Sequence, residues 1–195
     1  RYVAFQSEAT NLIPAATDTN GAQDIFRFDR LGAAGLMIQK ISVGVGGTPA
    51  NSWSNFPSLS TDGRYVAFAS NASNLVASDV GGLPDAFVRD TVAGTTELVS
   101  TGANGQADGE LLRVRIATDG SRVAFSTNAA NLLPSGTNPA LVSHVHVRDL
   151  NADTTTLWSV GDLGTPGRPN DVCPADGDGD GFEIPDDCDD TDASI

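Results

Sequence analysis

The sequence predicts an all-β fold made of repeated antiparallel strands, on three observations. One phrase occurs three times without gaps, as RYVAFQSEATNLI (1–13), RYVAFASNASNLV (64–76) and SRVAFSTNAANLL (121–133), at offsets of 63 and 57 residues. Further phrases recur behind it in constant order: DIFRFD (24–29), DAFVRD (85–90) and HVHVRD (144–149), then MIQKISVG, TTELVSTG and TTLWSVG, each containing a late serine. Each phrase alternates as a half-buried strand does, while 21 glycines, a single lysine and only 18% charged residues describe a turn-rich β protein. No window of 15 residues carries helical spacing.

Taken in order, each element has its own justification. In the second unit NFPSLS (55–60) leads through Thr61, Asp62 and Gly63 into RYVAFAS, a hairpin whose glycine supplies positive φ. A loop, NASNLVASDVGGLP (71–84), separates the second strand from DAFVRD, which turns through TVAG and Gly94 into TTELVS. Glycine-rich links such as TGANGQADG separate the units. Units two and three therefore have four strands each. The first lacks the strand and Asp-Gly turn that should precede Arg1, so the expectation is that the chain is a piece of a longer polypeptide, or that a neighbouring chain supplies a strand to the open edge.

Four short antiparallel strands repeated at near-constant spacing are the blades of a β-propeller. The lead-in S-x-D-G-R-Y-V-A-F, the later D-x-F-V-R-D and the serine-ended fourth strand together resemble TolB-like, WD-type propeller repeats over residues 1–160. That resemblance implies a scaffold of the kind found in bacterial envelope and secreted proteins, and no particular chemistry. The predicted organisation is blades at about 1–43, 55–100 and 113–160, a Gly/Pro linker at 161–172 and an Asp-rich segment at 173–195. Three blades do not close a ring, since propellers have typically four to eight.

Charge is unevenly spread. Of 25 acids and 11 bases, residues 171–195 hold 10 acids and no base, leaving 15 acids and 11 bases before them. A basic nucleic-acid footprint is absent, which argues against that partner class, and no apolar run approaches the ~20 residues that span a bilayer. Cys173 and Cys188 bracket the acidic run and read as a disulfide closing a 16-residue loop, which points to an extracellular or periplasmic setting. On the chain-entropy description such a bridge contributes about 3 kcal/mol.

Within the blades, the loop before the third strand gathers oxygen ligands. Asp18, Asn20 and Asp24 surround Gly21 in unit one, and Asp79 and Asp85 recur in unit two. Such a run suits Ca²⁺; the alternative is an Asx-turn, in which Asp and Asn side chains cap their own backbone. Unit three has lost these carboxylates and is expected to be metal-free there. His144 and His146 lie two apart on one strand face, but His146 takes the position of Phe26 and Phe87, which favours blade packing over zinc. Arg89–Asp90 and Arg148–Asp149 recur at strand ends and read as structural corners. No G-x-S-x-G elbow or acid–base constellation occurs, although paired carboxylates for hydrolysis remain open.

The Asp-rich segment carries the sharpest metal signal. Asp176, Asp178, Asp180 and Gly181 fall at positions one, three, five and six of a twelve-residue calcium loop, the Phe182 carbonyl at seven and Asp187 at twelve. Asp in place of Glu at twelve, Pro185 and the bracketing cysteines depart from a helix-flanked EF-hand. The pattern is more similar to thrombospondin type 3 calcium repeats, which implies that cysteines and calcium stand in for a hydrophobic core. Asp189, Asp190 and Asp192 would begin a second site.

Three functions follow as expectations. The leading one is a secreted, calcium-stabilised extracellular scaffold that assembles with copies of itself, head to tail through the first blade and the acidic segment. The second is a recognition module for a glycan, peptide or envelope partner, which would need exposed rings among Trp53, Phe56 and Trp158. A secreted hydrolase is the third, with no cluster to support it.

Overall fold

The computed structural model describes residues 1–13, 19–33, 37–133 and 142–159. Among them are three successive antiparallel sheets and no α-helix. Blade 1 contains β1 (Tyr2–Ser7), β2 (Asp24–Asp29) and β3 (Ile38–Lys40); blade 2 contains β4 (Ser54–Leu59), β5 (Tyr65–Ser70), β6 (Asp85–Asp90) and β7 (Thr95–Leu98). After a small hairpin, β8 (Thr101–Gly102) with β9 (Gly105–Gln106), blade 3 contains β10 (Leu111–Ile116), β11 (Arg122–Thr127), β12 (His144–Asp149) and β13 (Thr154–Leu157). Strands follow chain order across every blade. The β8–β9 hairpin lies in a stretch read from sequence as a plain glycine-rich link; it forms because Gly105 takes φ +102 at the turn.

One register is used three times. Tyr2 faces Asp29, Tyr65 faces Asp90 and Arg122 faces Asp149, so each RYVAF-type strand meets the following D-x-F-V-R-D-type strand at equivalent positions. Strand period then decides what each blade buries. In β5, Val66 and Phe68 join Ile25, Ile41 and Ala50 of the blade 1 side, while Ala67 and Ala69 join Leu111, Val114, Val123 and Phe125 of blade 3. Blade 2 is thus buried on both faces, which is why VAFA is apolar throughout. Burying Phe68 and Phe87, both 0% exposed, contributes roughly 1.5–3 kcal/mol each.

A ring pair sits at the same place in each blade: Phe5 on Phe26, Phe68 on Phe87, and Phe125 on His146, with centroids 5.7, 5.9 and 5.7 Å apart. Blades are also keyed through their turns. Gly63 and Gly120, at φ +75 and +76, close the Asp-Gly hairpins. A Cβ at Gly63 would lie 2.0 Å from the Tyr2 ring, and one at Gly120 would lie 2.4 Å from the Tyr65 ring. Each turn glycine is therefore required twice, for its backbone and for the tyrosine of the preceding blade. Blade 3 has Arg122 where the others have tyrosine.

The first strands of blades 2 and 3 carry irregularities. Register shifts between Asn55 and Ser58 in β4, and between Leu111 and Arg113 in β10. Phe56 sits in the first bulge at φ +57, an uncommon conformation for a bulky residue, and its N–H donates to Gln6 Oε1 of blade 1 at 3.0 Å.

Candidate functional site

The polar residues that open the third-strand phrases converge on the recurrent serines. Asp24, Asp85 and His144 each start a strand, and each meets a serine just after the following strand: Ser42, Ser100 and Ser159. Ser42 Oγ donates to Asp24 Oδ1 at 2.5 Å and Ser100 Oγ donates to Asp85 Oδ1 at 2.6 Å, while Ser159 Oγ lies 3.0 Å from His144 Nδ1. The same hydroxyls accept backbone N–H groups from Ile25, Ala86 and Val145 at 3.0, 3.0 and 3.1 Å. Each serine ties two strands together at a point where β pairing has ended. The recurrence was visible in the sequence, but nothing there named the partner.

The second carboxylate oxygens of Asp24 and Asp85 meet different donors. Lys40 Nζ lies 2.7 Å from Asp24 Oδ2, a pair that is 4% and 0% exposed. Lys40 stands where blade 2 has Leu98, so a lysine in an otherwise apolar strand position was the available signal. In blade 2 the donor is Gln106 Nε2, 2.7 Å from Asp85 Oδ2 and 3.0 Å from Asp79 Oδ1. Val80 N–H donates to Gln106 Oε1 at 3.0 Å and fixes which end of the amide faces the acids. Sequence reasoning missed Gln106 altogether, because it comes from the link rather than the loop. Burial pushes the Asp85 carboxyl up to about 6 despite the Ser100 and Gln106 bonds.

This donor set bears on calcium at the two loops. An amide N–H stands between Asp79 and Asp85, and an ammonium stands at Asp24, so these carboxylates meet hydrogen-bond donors where a Ca²⁺ site would need further oxygens. Asn20 Oδ1 accepts the Ala22 N–H at 3.1 Å and Asp79 Oδ1 accepts the Gly81 N–H at 3.2 Å, the Asx-turn arrangement. Asn20 Nδ2 also donates to the Ala50 and Ser52 carbonyls, tying the loop to the start of blade 2. The described residues hold no group of three or more His, Cys, Asp or Glu placed to share a metal ion. Asp18 lies outside the described residues, as do Asp176, Asp178, Asp180, Phe182, Asp187, Asp189, Asp190, Asp192, Cys173 and Cys188.

Both histidines are buried, at 1% and 0% exposure. His146 replaces a phenylalanine in the ring pair, and burial lowers its pKa, which keeps it neutral and compatible with its apolar seat. The strand-end aspartates form corners, but their arginines come from the preceding strand. Arg64 grips Asp90 through Nε and Nη2, with Nη2 at 2.6 Å; Arg1 holds Asp29 the same way, and Arg122 Nε lies 3.1 Å from Asp149. Asp90 Oδ1 also accepts the N–H groups of Val92 and Ala93, organising the turn. The arginine bonds hold Asp29 and Asp90 down at about 2. Arg89, the sequence neighbour of Asp90, instead donates to Thr96 Oγ1 at 2.9 Å.

A cleft of about 240 Å³ between blades 2 and 3 is lined by Tyr65, Asp90, Glu97, Gly120 and Leu150, among others. Burial raises the Glu97 carboxyl, whereas Asp90 is committed to Arg64 and its turn. One acid of the two is thereby occupied, so the cleft does not offer a free carboxylate pair. Of the three rings considered for ligand stacking, Trp53 and Phe56 are partly buried and Trp158 is 62% exposed.

No protein-family model matches the sequence, and no curated protein matches it. Solved structures similar to it include TolB from Acinetobacter baumannii, 16% identical over 78% of this chain and 29% of that one, with a TM-score of 0.44. The tricorn protease is 12% identical over 85% of this chain and 12% of its own, at 0.45. An oligogalacturonate lyase in complex with manganese is 12% identical over 80% and 32%, at 0.40. The chain spans less than a third of the length of each of these structures. Strand order, repeated register and stacked faces make the described residues an all-β array of propeller-type blades.

Proposed function

We propose that this chain is part of a secreted, calcium-stabilised propeller that serves as an extracellular structural and surface-assembly subunit. The observation that carries the assembly reading is the side of blade 3 turned away from blade 2. Ala86 and Val99 of blade 2 are 0% exposed because blade 3 covers them; their equivalents in blade 3, Val145 and Trp158, are 41% and 62% exposed. A face with the residue pattern of a blade contact, left uncovered among the described residues, suits a further blade or another copy. Contacts between unlike faces of identical subunits are heterologous, and when they do not close they build filaments. Calcium enters through the Asp-rich segment, where Asp176, Asp178, Asp180, the Phe182 carbonyl and Asp187 supply the ligand spacing and a Cys173–Cys188 disulfide would close the loop.

The test is electron microscopy and light scattering of the secreted protein in calcium and after chelation. Large assemblies in calcium, lost in chelator and in the Val145→Asp/Trp158→Asp double variant, are expected; their absence in calcium overturns the reading. Exposure of Trp158 also favours a second reading, recognition of a glycan, peptide or envelope partner by ring stacking. Saturable quenching of Trp158 fluorescence by a glycan array hit, with no assemblies, would select it.

A further inference from the structure

Arg113 and Arg115 differ from the blade arginines that hold aspartates. The chain is acidic, with a formal net charge of -14, and Arg1, Arg64, Arg122 and Arg148 each pair with an aspartate. Arg113 and Arg115 are exposed on β10 and, among the described residues, hydrogen-bond only to main-chain carbonyls of their own strand, Leu112 O and Val114 O, at 2.9 Å each. Spaced two apart, they lie on one side of the strand. The Arg113 guanidinium lies 4.4 Å from the centroid of the Phe56 ring, and Phe56 is held in its bulge at φ +57. The ring fixes the guanidinium in place while leaving most of its N–H groups free to donate, which lowers the entropy lost when a carboxylate binds.

The topology places a carboxylate source within reach. Leu157 pairs with His146, His146 with Phe125, and Phe125 with Val114, so one row of residues runs across blade 3 from its last strand to the position between the two arginines. Three strand spacings make this row about 14 Å long. Residues 160–170 follow, and 11 residues can span up to about 36 Å. Beyond them come 10 acids and no base in residues 171–195.

We propose that Arg113 and Arg115, with Phe56 packed against the first, form a docking site for the Asp-rich segment 171–195 of the same chain. Two adjacent bidentate donors fit carboxylates spaced along an Asp-x-Asp-x-Asp run. Docking would return the acidic segment to the first strand of its own blade and offset charge that the blades leave uncompensated. The docking needs one chain and no calcium; since it uses carboxylates that calcium would otherwise hold, the two compete, and its failure in chelator leaves the assembly reading untouched.

The experiment uses the full chain in chelator at low salt and follows the arginine side-chain Nε–Hε resonances by NMR. Changing the ten acids of 171–195 to Asn or Gln should shift Arg113 and Arg115 and leave Arg30, exposed at the turn after β2, in place. Raising salt to about 1 M, where the Debye length is about 3 Å, should give the same shifts. Proteolysis within the segment should become about fivefold faster in Arg113→Gln/Arg115→Gln, a change of surface residues that leaves the blades folded by circular dichroism. Resonances unchanged by neutralising the segment overturn the proposal. Shifts that depend on protein concentration also overturn it, since they assign the arginines to the segment of another copy.

Discussion

Ser100 is the residue on which blade 2 closes, donating to Asp85 while accepting from the Ala86 N–H. Ser100→Ala leaves a buried carboxylate oxygen and a buried N–H short of one partner, and should destabilise the protein by about 1–3 kcal/mol in denaturant unfolding. Asp85 makes the same site pH-dependent. Its folded pKa of about 6 exceeds the ordinary 3.8, so protonation favours the fold; the gain is complete below about 3.8 and lost as pH rises through about 6. Relative to Asp85→Asn, the protein in chelator should therefore gain stability on acidifying from pH 7.5 to 5, by about 1.4 kcal/mol. The serines and aspartates were legible in the sequence as recurring letters. Their pairing was not, because residues 15 and 18 positions apart meet only once strand register is set, and Gln106 enters from a link that the repeats do not predict.

Turns and strands were the most legible elements. Asp-Gly between alternating phrases placed the hairpins at Gly63 and Gly120, and both glycines adopt the positive φ that the turn demands. What the pattern could not disclose was the tyrosine ring lying against each turn, since that contact belongs to two blades. Gly120→Ala should therefore cost more than the roughly 1 kcal/mol of a strained turn, about 2–4 kcal/mol in all, because its Cβ would meet Tyr65 at 2.4 Å. Pairing it with Tyr65→Ala should recover part of the loss, which a double-mutant cycle would register. Phe56 was read as a possible stacking surface; the bulge in β4 turns it instead toward Gln6 and Arg113, a local backbone choice that alternation alone does not encode.

Across the whole molecule, acid and alkaline limits come from different groups. Asp29 and Asp90, held at about 2 by their arginines, stabilise the fold above the ordinary 3.8 and lose that contribution as pH falls through about 2. Because Asp85 acts in the opposite sense, Asp85→Asn should move the pH of maximum thermal stability in chelator upward. The stacking of blades was legible from the repeats, whereas which face stays open was not, because Ile41, Val99 and Trp158 look equally apolar as letters. The glycine-to-tyrosine contact also gives the array a grammar. Blade 2 offers a glycine backward to Tyr2 and a tyrosine forward to Gly120, so it is a complete word that can follow or precede itself. Blade 3 can only receive, since Arg122 replaces its tyrosine. A duplicated copy of residues 54–110 inserted after residue 110 should thus be accepted as an extra blade with both glycine–tyrosine contacts made, while a blade placed behind blade 3 would meet the open face at Val145 and Trp158 without the tyrosine contact; gene duplication keeps this grammar intact only from the middle.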